Sequence, residues 1–499
     1  MRIGDSLMTI RAFESHDAEE LAIEAKDTRK KNTLLWYSYD MADNFFSQTV
    51  ISLAFTPYAM LLGVQQGWSL VTTFIVISLF MAGSNLLIAI FGPFLGAISD
   101  TAGKRKPAVI GCATIMIITA ALMTLWVNFW WAAILFVIGN FFYQAGRMFY
   151  DAQIPFIAET EKRSVYQAIG GALAPFGSLL GIVAGLVSGA VFGQATTVKT
   201  EIWTLAQQQI EEINYTSLRY LFAIASVVIL LMCIPYLFHK EVENPTDLSA
   251  KENIKESFVS IRRSFRTIIG DRNSWLFYLG WFFMVDAANT TILYMVPVIE
   301  GGCQAPSQMI TYLIIGLGII LSSVFGVFMG YLLKRFGPKL TFIFSGFAWM
   351  AGILFFMIAG WQYKTEVIGS MVLIHQFPWW IAFFGAVFIG IGFGGVWIIG
   401  RQFVMILAPP SKLAQYAGFQ KIAGRVSAIV SPLIFAAMMF VGDPLGANHA
   451  YRIALASVFL FFVIGVIFLS FIIDPYKRYL QGERAPYPGI YDKDENEEE

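Results

Sequence analysis

Charge is what this sequence has least of. Only 14% of its 499 residues are Asp, Glu, Lys or Arg, while 57% are hydrophobic and mean hydropathy is +0.63. Soluble domains carry about 25% charged residues, so a soluble fold is excluded. Cysteine is scarce too: Cys112, Cys233 and Cys303 are three lone residues, two of them inside apolar runs, so no disulfide framework is expected. These cysteines and four scattered histidines give no metal-ligand spacing, and no metal site is expected. There is no nucleotide loop and no nucleophile constellation, so neither an enzyme nor a cofactor is expected. The strict period-two alternation of an outer-membrane barrel is missing as well. The first 30 residues are charged and lack an apolar centre, so no cleavable signal is expected. The formal net charge is zero, and no nucleic-acid partner is expected.

What is present is a series of long apolar runs. Most reach the roughly 20 residues that cross a bilayer as a helix. Twelve spans are expected, near 34–62, 70–99, 107–128, 130–157, 165–193, 217–239, 274–299, 308–334, 338–361, 378–407, 413–440 and 450–473. Short charged or turn-forming segments separate them: "DTAGKRKP", "AETEKRS", "KRFGPK" and "APPSK". The fold class is therefore an all-α membrane protein. The tails and the loops following even-numbered spans hold about 26 of the 34 lysines and arginines, whereas the loops following odd-numbered spans hold only Lys199 and Lys364. The positive-inside rule then places both termini in the cytoplasm. The 240–273 loop contains "SIRRSFR" and reads either as an amphipathic helix on the membrane surface or as a solvated linker. The "DKDENEEE" end reads as a disordered acidic tail. Asn214-Tyr215-Thr216 is a glycosylation sequon, of consequence only in a eukaryote.

The chain repeats itself. "GRMFYDAQIP" (146–155) matches "GRQFVMILAP" (400–409) through Gly146, Arg147, Phe149 and Pro155 against Gly400, Arg401, Phe403 and Pro409. "GPFLGAISDTAGKRK" matches "GVFMGYLLKRFGPKL" through Gly92, Gly96 and Gly103 against Gly326, Gly330 and Gly337. "YDMADN" and "VDAANT" align Asp40 with Asp286. Three ordered matches imply two pseudo-symmetric six-helix bundles in parallel repeat, 34–239 and 274–473, flanked by tails 1–33 and 474–499 and joined by 240–273. Such repeats belong to transporters, whose site lies mid-membrane between the halves.

On these residues the chain resembles the major facilitator superfamily. Gly92, Gly96, Asp100, Gly103, Lys104 and Arg105 fit its signature loop between spans two and three; in the second copy Lys334 replaces Asp100. The resemblance implies that this loop switches conformation, with Asp100 at the N-terminus of span eleven near Ser411 to Leu413. "WYSYDMADNFFSQTVISLAFTPYA" looks like span one of the vacuolar-effluxer-like family, which is related to fungal vacuolar amino-acid exporters. "FFMVDAANTTILY" resembles its span seven, with Ala287 where glycine is expected. "QYAGFQKIAGRVSAIVSPLIF" and "YRIALASVFLFFVIG" resemble its spans eleven and twelve.

A charge inside the bilayer costs roughly 2.5–3.5 kcal/mol on insertion scales, so each such residue is a site candidate. At 1.5 Å per residue, Asp40 lies roughly 9 Å deep, Asp43 roughly 13 Å and Arg147 roughly 15 Å, with Asp151 one turn from Arg147. A carboxylate–arginine cluster facing a polar cavity is expected; the competing reading is a charge network that only fixes helix packing. In the second half Asp286, Lys421 and Arg425 fall at similar depths, with Arg401 nearer the cytoplasm, and a direct Asp286–Arg425 salt bridge is expected. Asn44, Tyr150 and Asn289 complete the candidate substrate or coupling-ion residues, and Trp36, Tyr39, Phe141, Tyr143 and Trp397 are candidate lining aromatics. The glycines 177, 181, 185 and 189 form a stripe expected to pack against span eight at Gly318, Gly326 and Gly330.

The function expected is secondary active transport of a small polar solute by alternating access, with an amino acid or related organic ion favoured. Protons or sodium are possible coupling ions, the bilayer is the surroundings, and a monomer is expected. The alternatives are a sugar–cation symporter, suggested by "YDAQIPFIAETEKR", and a non-transporting scaffold or sensor. The membrane would be the plasma membrane in a prokaryote and a vacuolar or other membrane in a eukaryote.

Overall fold

The computed structural model describes residues 32–102, 105–153, 163–196, 213–241, 259, 268–368, 371–408 and 413–473. The tails, most of the 240–273 loop, and Gly103 and Lys104 lie outside them, as do the side chains of Gly96, Asp100, Lys421 and Arg425. The proposed role of Asp100, the surface helix and the acidic tail therefore fall outside the described residues.

Within them, 11 helices are long and apolar enough to cross a membrane. One, Gln308–Ile358, is 51 residues long and breaks at Gly337 (φ 80°) ahead of Pro338. That backbone conformation suits glycine alone, and proline cannot continue a helix from the preceding turn, so this element is two spans. The helices are α1 Asn32–Gln65, α2 Leu70–Ala102, α3 Lys106–Met123, α4 Phe129–Asp151, α5 Arg163–Phe192, α6 Thr216–Leu237, α7 Arg272–Leu293, α8 308–336, α9 338–358, α10 Ala382–Leu407, α11 Leu413–Gly442 and α12 Ala447–Ser470. They form the two expected six-helix bundles. Two stretches depart from α geometry: Ser47–Phe55 within α1 and Val298–Gly302 beyond α7 are wound as π-helix, each next to a proline (Pro57, Pro297).

A β-hairpin between α9 and α10 was not expected. β1 Gln362–Ile368 pairs antiparallel with β2 Met371–Gln376, with Ile368 opposite Met371. The signal was there in "TEVIGSMVLI": apolar and β-branched runs meet across Gly-Ser, a two-residue hairpin loop.

At the end carrying Asn32 and Ile473, called proximal here, each half closes its bundle in the same way. Asn32 exchanges two hydrogen bonds with the backbone of Lys240 (2.9 and 2.6 Å), as Asn273 does with Ile473 (3.0 and 3.2 Å). Lys106 Nζ donates to the carbonyls of Leu237 and His239 (2.7 and 2.6 Å), as Lys339 Nζ does to those of Ser470 and Ile472 (2.9 and 2.6 Å). These carbonyls end helices α6 and α12, have no partner within their own helix, and favour a cation. The repeat thus reaches individual hydrogen bonds.

The first half adds a further network. Glu241 accepts from the backbone N–H groups of Arg105 and Lys106, at 2.9 and 2.7 Å, where α3 begins. Gln153 donates to Glu241 and accepts from Trp36 Nε1 (3.1 Å) and Tyr236 (2.8 Å). His239, buried two residues beyond α6, stacks on Tyr236 and has its Nδ1 3.3 Å from the Asn32 carbonyl. The second half has Ile472 in the corresponding place.

The glycine stripe of α5 divides. A side chain at Gly181 would meet Thr49 and Gln48 of α1, and Gly177 lies against the Met41 carbonyl of α1, whereas Gly185 and Gly189 lie against Tyr312 and Gln308 of α8. The expected partners on α8 face elsewhere: Gly318 and Gly326 approach the backbone of α10 at Ala386 and Gly394, and Gly330 has nothing within 4 Å. The stripe therefore serves two contacts, Gly177 and Gly181 with α1 inside the first half and Gly185 and Gly189 with α8 across the halves. Gly181→Leu should lower folded yield and melting temperature through overpacking of about 1–3 kcal/mol. Size-exclusion yield and thermal melting in detergent measure this; an unchanged melt would show that α1 and α5 need no close approach there.

His239 generates a pH prediction. Burial holds its imidazole below the usual value of 6.5; the Asn32 carbonyl pulls the other way, and the Lys106 charge lowers it and the Glu241 charge raises it by less. Between the lowered value and 6.5 the unfolded chain binds a proton that the folded one does not. Stability therefore rises with pH across that window and is lost on acidification. His239→Gln should flatten the fall in melting temperature between pH 7.5 and 5.5; an equal fall in the variant would assign the effect to other groups.

Candidate functional site

The first-half charges come together as their depths suggested. Arg147 of α4 donates from Nη1 to Asp43 Oδ2 of α1 at 3.2 Å, and to the Tyr143 hydroxyl at 3.4 Å. The Asp43 side chain is 1% exposed but that of Arg147 is 41% exposed, so the pair has one dry member and one wet member. Asp43 Oδ1 has no hydrogen-bond partner. Asp40, half-buried one turn nearer the proximal end, accepts from Asn44 through its carbonyl (2.7 Å) and Oδ1 (3.3 Å). Asp151, half-buried at the end of α4, acts on Arg147 and Asp40 through its charge.

Arg401 joins this cluster from the other half. It sits on α10 at the position repeating Arg147, is exposed, and interacts electrostatically with Asp151, Arg147 and Asp40. Sequence depth alone grouped Arg401 with the second-half charges; the structure brings it within electrostatic reach of the first-half carboxylates. Both repeated glycines make room for an aromatic from the first helix of their own half. A side chain at Gly146 would meet Tyr39, and one at Gly400 would meet Trp281.

Asp286 is not among the groups whose charge reaches this cluster. It is fully buried in the second half, and neither oxygen has a hydrogen-bond partner. The expected salt bridge to Arg425 falls outside the described residues, since the Arg425 side chain is not among them; among those that are, Ser431 of α11 faces the carboxylate. Asn289 is half-buried on α7.

Most candidate lining aromatics are packing groups. Tyr150 stacks on Trp36, with centroids 4.2 Å apart and an interplanar angle of 10°, and Tyr39 tilts against Tyr150 at 5.1 Å. Phe141 meets Phe91 edge-on, and Trp397 lies 4.8 Å from Phe393. Only Tyr143 touches a cluster charge, through Arg147.

The hydrogen bonds seen between the halves gather toward the distal end. Ser52 and Thr56 of α1 donate to the Ile292 and Leu293 carbonyls of α7 (3.1 and 3.4 Å), and Ser78 of α2 shares a hydrogen bond with Tyr294 at 2.5 Å. Gln308 accepts from the Ala195 N–H (2.8 Å) and Ser217 (3.3 Å). Asn85 of α2 donates to the Ala428 carbonyl of α11 at 2.8 Å, and itself accepts from Gln144 at 2.6 Å. Leu293 and Ala428 each precede a proline, Pro297 and Pro432, by four residues. The proline lacks the N–H that would have taken the carbonyl, and a side chain from the other half takes it.

Two buried charged residues carried no sequence signal beyond their presence at span ends. Arg452 clamps the Gly302, Asn448 and Ala359 carbonyls at 2.9, 2.8 and 2.7 Å, tying α12 to the segments after α7 and α9. Glu300 is 2% exposed beside Tyr312 and Tyr451.

Removing Arg147 should leave Asp43 buried without its partner. Arg147→Gln should cost less than the about 3–5 kcal/mol typical of a fully buried pair, because Arg147 is part-hydrated, and Arg147→Gln with Asp43→Asn should recover the folded yield. Yields and melts of the single and double variants decide this; a double variant no better than Arg147→Gln would mean the pair is not coupled.

The sequence pattern of the Major Facilitator Superfamily matches residues 41–432. The uncharacterized MFS-type transporter YxiO of Bacillus subtilis (strain 168) is 22% identical over 449 residues, covering 89% of this chain and 95% of YxiO. Among solved structures, a D-xylose-proton symporter superposes with a TM-score of 0.64 at 14% identity, over 89% of this chain and 98% of that one. A mutant of the nucleoside transporter NupG superposes with a TM-score of 0.62 at 12% identity, over 89% and 100%. At these identities the structural likeness is one of fold. The twelve-helix, two-bundle architecture and a sequence match across most of the length lead to one conclusion: the chain belongs to the major facilitator superfamily of transporters.

Proposed function

We propose that this transporter moves an amino acid or a related small organic ion by alternating access, with the solute held between the two halves by Arg147 and Arg401 on one side and Asp40 and Asp151 on the other. The observation that carries this reading is Arg401: an exposed guanidinium from the second half within electrostatic reach of the first-half carboxylates. A zwitterion offers a carboxylate for a guanidinium and an ammonium for a carboxylate. A neutral sugar brings no charge to meet either the arginines or the carboxylates of this cluster, which weighs against the sugar–cation alternative. Bridging the halves lets the solute favour one arrangement of them, which is the thermodynamic requirement for coupling binding to a conformational change. The vacuolar-effluxer-like motifs of α1, α7, α11 and α12 support placement in that subfamily.

With both termini cytoplasmic, as the distribution of Lys and Arg supports, the distal seal makes this the inward-facing state. The carboxylates of the cluster are the candidate proton or sodium carriers. A thermal-shift panel of amino acids, organic acids, sugars and nucleosides on the purified protein tests the reading, because a ligand of the folded state raises its melting temperature by mass action. Stabilisation by a zwitterion or organic anion, lost in Arg401→Gln, is expected. Stabilisation by a neutral sugar or nucleoside that survives Arg401→Gln would overturn it.

A further inference from the structure

Away from the central cluster, the middle of the second half holds a buried carboxylate with no counter-charge among the described residues. Asp286 is 0% exposed, both its oxygens lack a hydrogen-bond partner, and the charge of no described side chain acts on it. A bare carboxylate in such surroundings costs several kcal/mol, so the folded protein neutralises it by some means.

The neighbouring groups are oxygen donors. Thr290 follows Asp286 by four residues and so lies on the same face of α7. It is 1% exposed, and its hydroxyl also lacks a partner. The next residue shows that this is a choice of rotamer: Thr291 turns its hydroxyl back onto its own helix, donating to the Ala287 carbonyl at 2.8 Å. Ser431 of α11, 2% exposed, faces Asp286 with its hydroxyl and main-chain N–H, though neither meets hydrogen-bond geometry. The N–H offsets part of the carboxylate's desolvation but brings no full charge. α11 can come this close because it presents Gly424 to α7 just below, facing Trp281 and Val285.

We infer that Asp286, Thr290 and Ser431 form a binding site for sodium within the second half, separate from the solute site between the halves. Hard oxygen donors without nitrogen or sulfur select an alkali or alkaline-earth cation. One carboxylate, with no other acid acting on it among the described residues, balances a single positive charge, which selects the monovalent ion. A proton would neutralise Asp286 but would leave the Thr290 hydroxyl unsatisfied; a cation engages all three groups. Because α7 and α11 both meet the first half at the distal seal, an ion that fixes their packing also bears on that seal. Coupling to transport rests on the function proposed above; binding itself does not.

The test is sodium binding by the purified full-length protein. Melting temperature is measured at fixed pH and ionic strength with NaCl replacing choline chloride, alongside radiolabelled sodium binding. Saturable stabilisation by Na⁺ but not K⁺ is expected, abolished in Asp286→Asn and weakened at least several-fold in Thr290→Val and in Ser431→Ala. Asp286→Asn should fold, since it removes a buried charge without changing shape; should it not, Thr290→Val and Ser431→Ala carry the test. The assignment is overturned if Na⁺ and choline are equivalent, if Na⁺ stabilises Asp286→Asn as much as the parent, or if only lowering the pH stabilises the protein, which would make Asp286 a proton site. It is also overturned if Asp286→Asn loses folded yield that Arg425→Gln restores, which would make Arg425 the partner. Loss of sodium binding with amino-acid binding intact would sink this inference alone and leave the proposed function standing.

Discussion

A polar group inside a bilayer must find its partner within the protein, because water is not there to serve. That constraint organises this molecule. Prolines in α11 and just beyond α7 deprive the Ala428 and Leu293 carbonyls of helical partners. Both carbonyls are taken by side chains of the first half, Asn85 and Thr56. A defect in one bundle thus becomes the attachment point of the other. Such an attachment is reversible: when the halves part, water can replace Asn85 and Thr56 at little cost in hydrogen-bond energy. Seals made in this way hold a state without locking it.

The central charges obey the same constraint with a different outcome. Asp43 is dry and needs Arg147, whereas Arg147 is still part-hydrated and Arg401 is exposed. The cluster is thus satisfied at its base and open at its rim. Asp286 shows the opposite arrangement, sealed on all sides with its oxygens unpaired. The second half thus contributes both an exposed charge to the cluster, Arg401, and a sealed one, Asp286, so the two bundles share a backbone plan but divide the chemistry.

The proximal latches mark where symmetry stops. Lys106 and Lys339 clamp the ends of α6 and α12 alike, and Asn32 and Asn273 do the same for the first helices. Only the first half adds His239 stacked on Tyr236, so acid should loosen one bundle rather than both.

Span number and the repeat were legible in the sequence because hydrophobic length and glycine position are local properties, and Gly337 marks the α8–α9 break in plain view. The Asp43–Arg147 pairing was legible too, since both lie at known heights on helices that run in opposite directions. Rotation was not. Whether Gly181 faces α1 or α8, and whether Arg401 reaches Asp286 or Asp151, both depend on the angle of each helix about its axis. One apolar face looks much like another in a helix surrounded by lipid and protein, so hydrophobic periodicity is too weak to set that angle. It was decided by contacts between residues far apart in sequence: glycines that admit Tyr39 and Trp281, and carbonyls freed by proline that needed a donor.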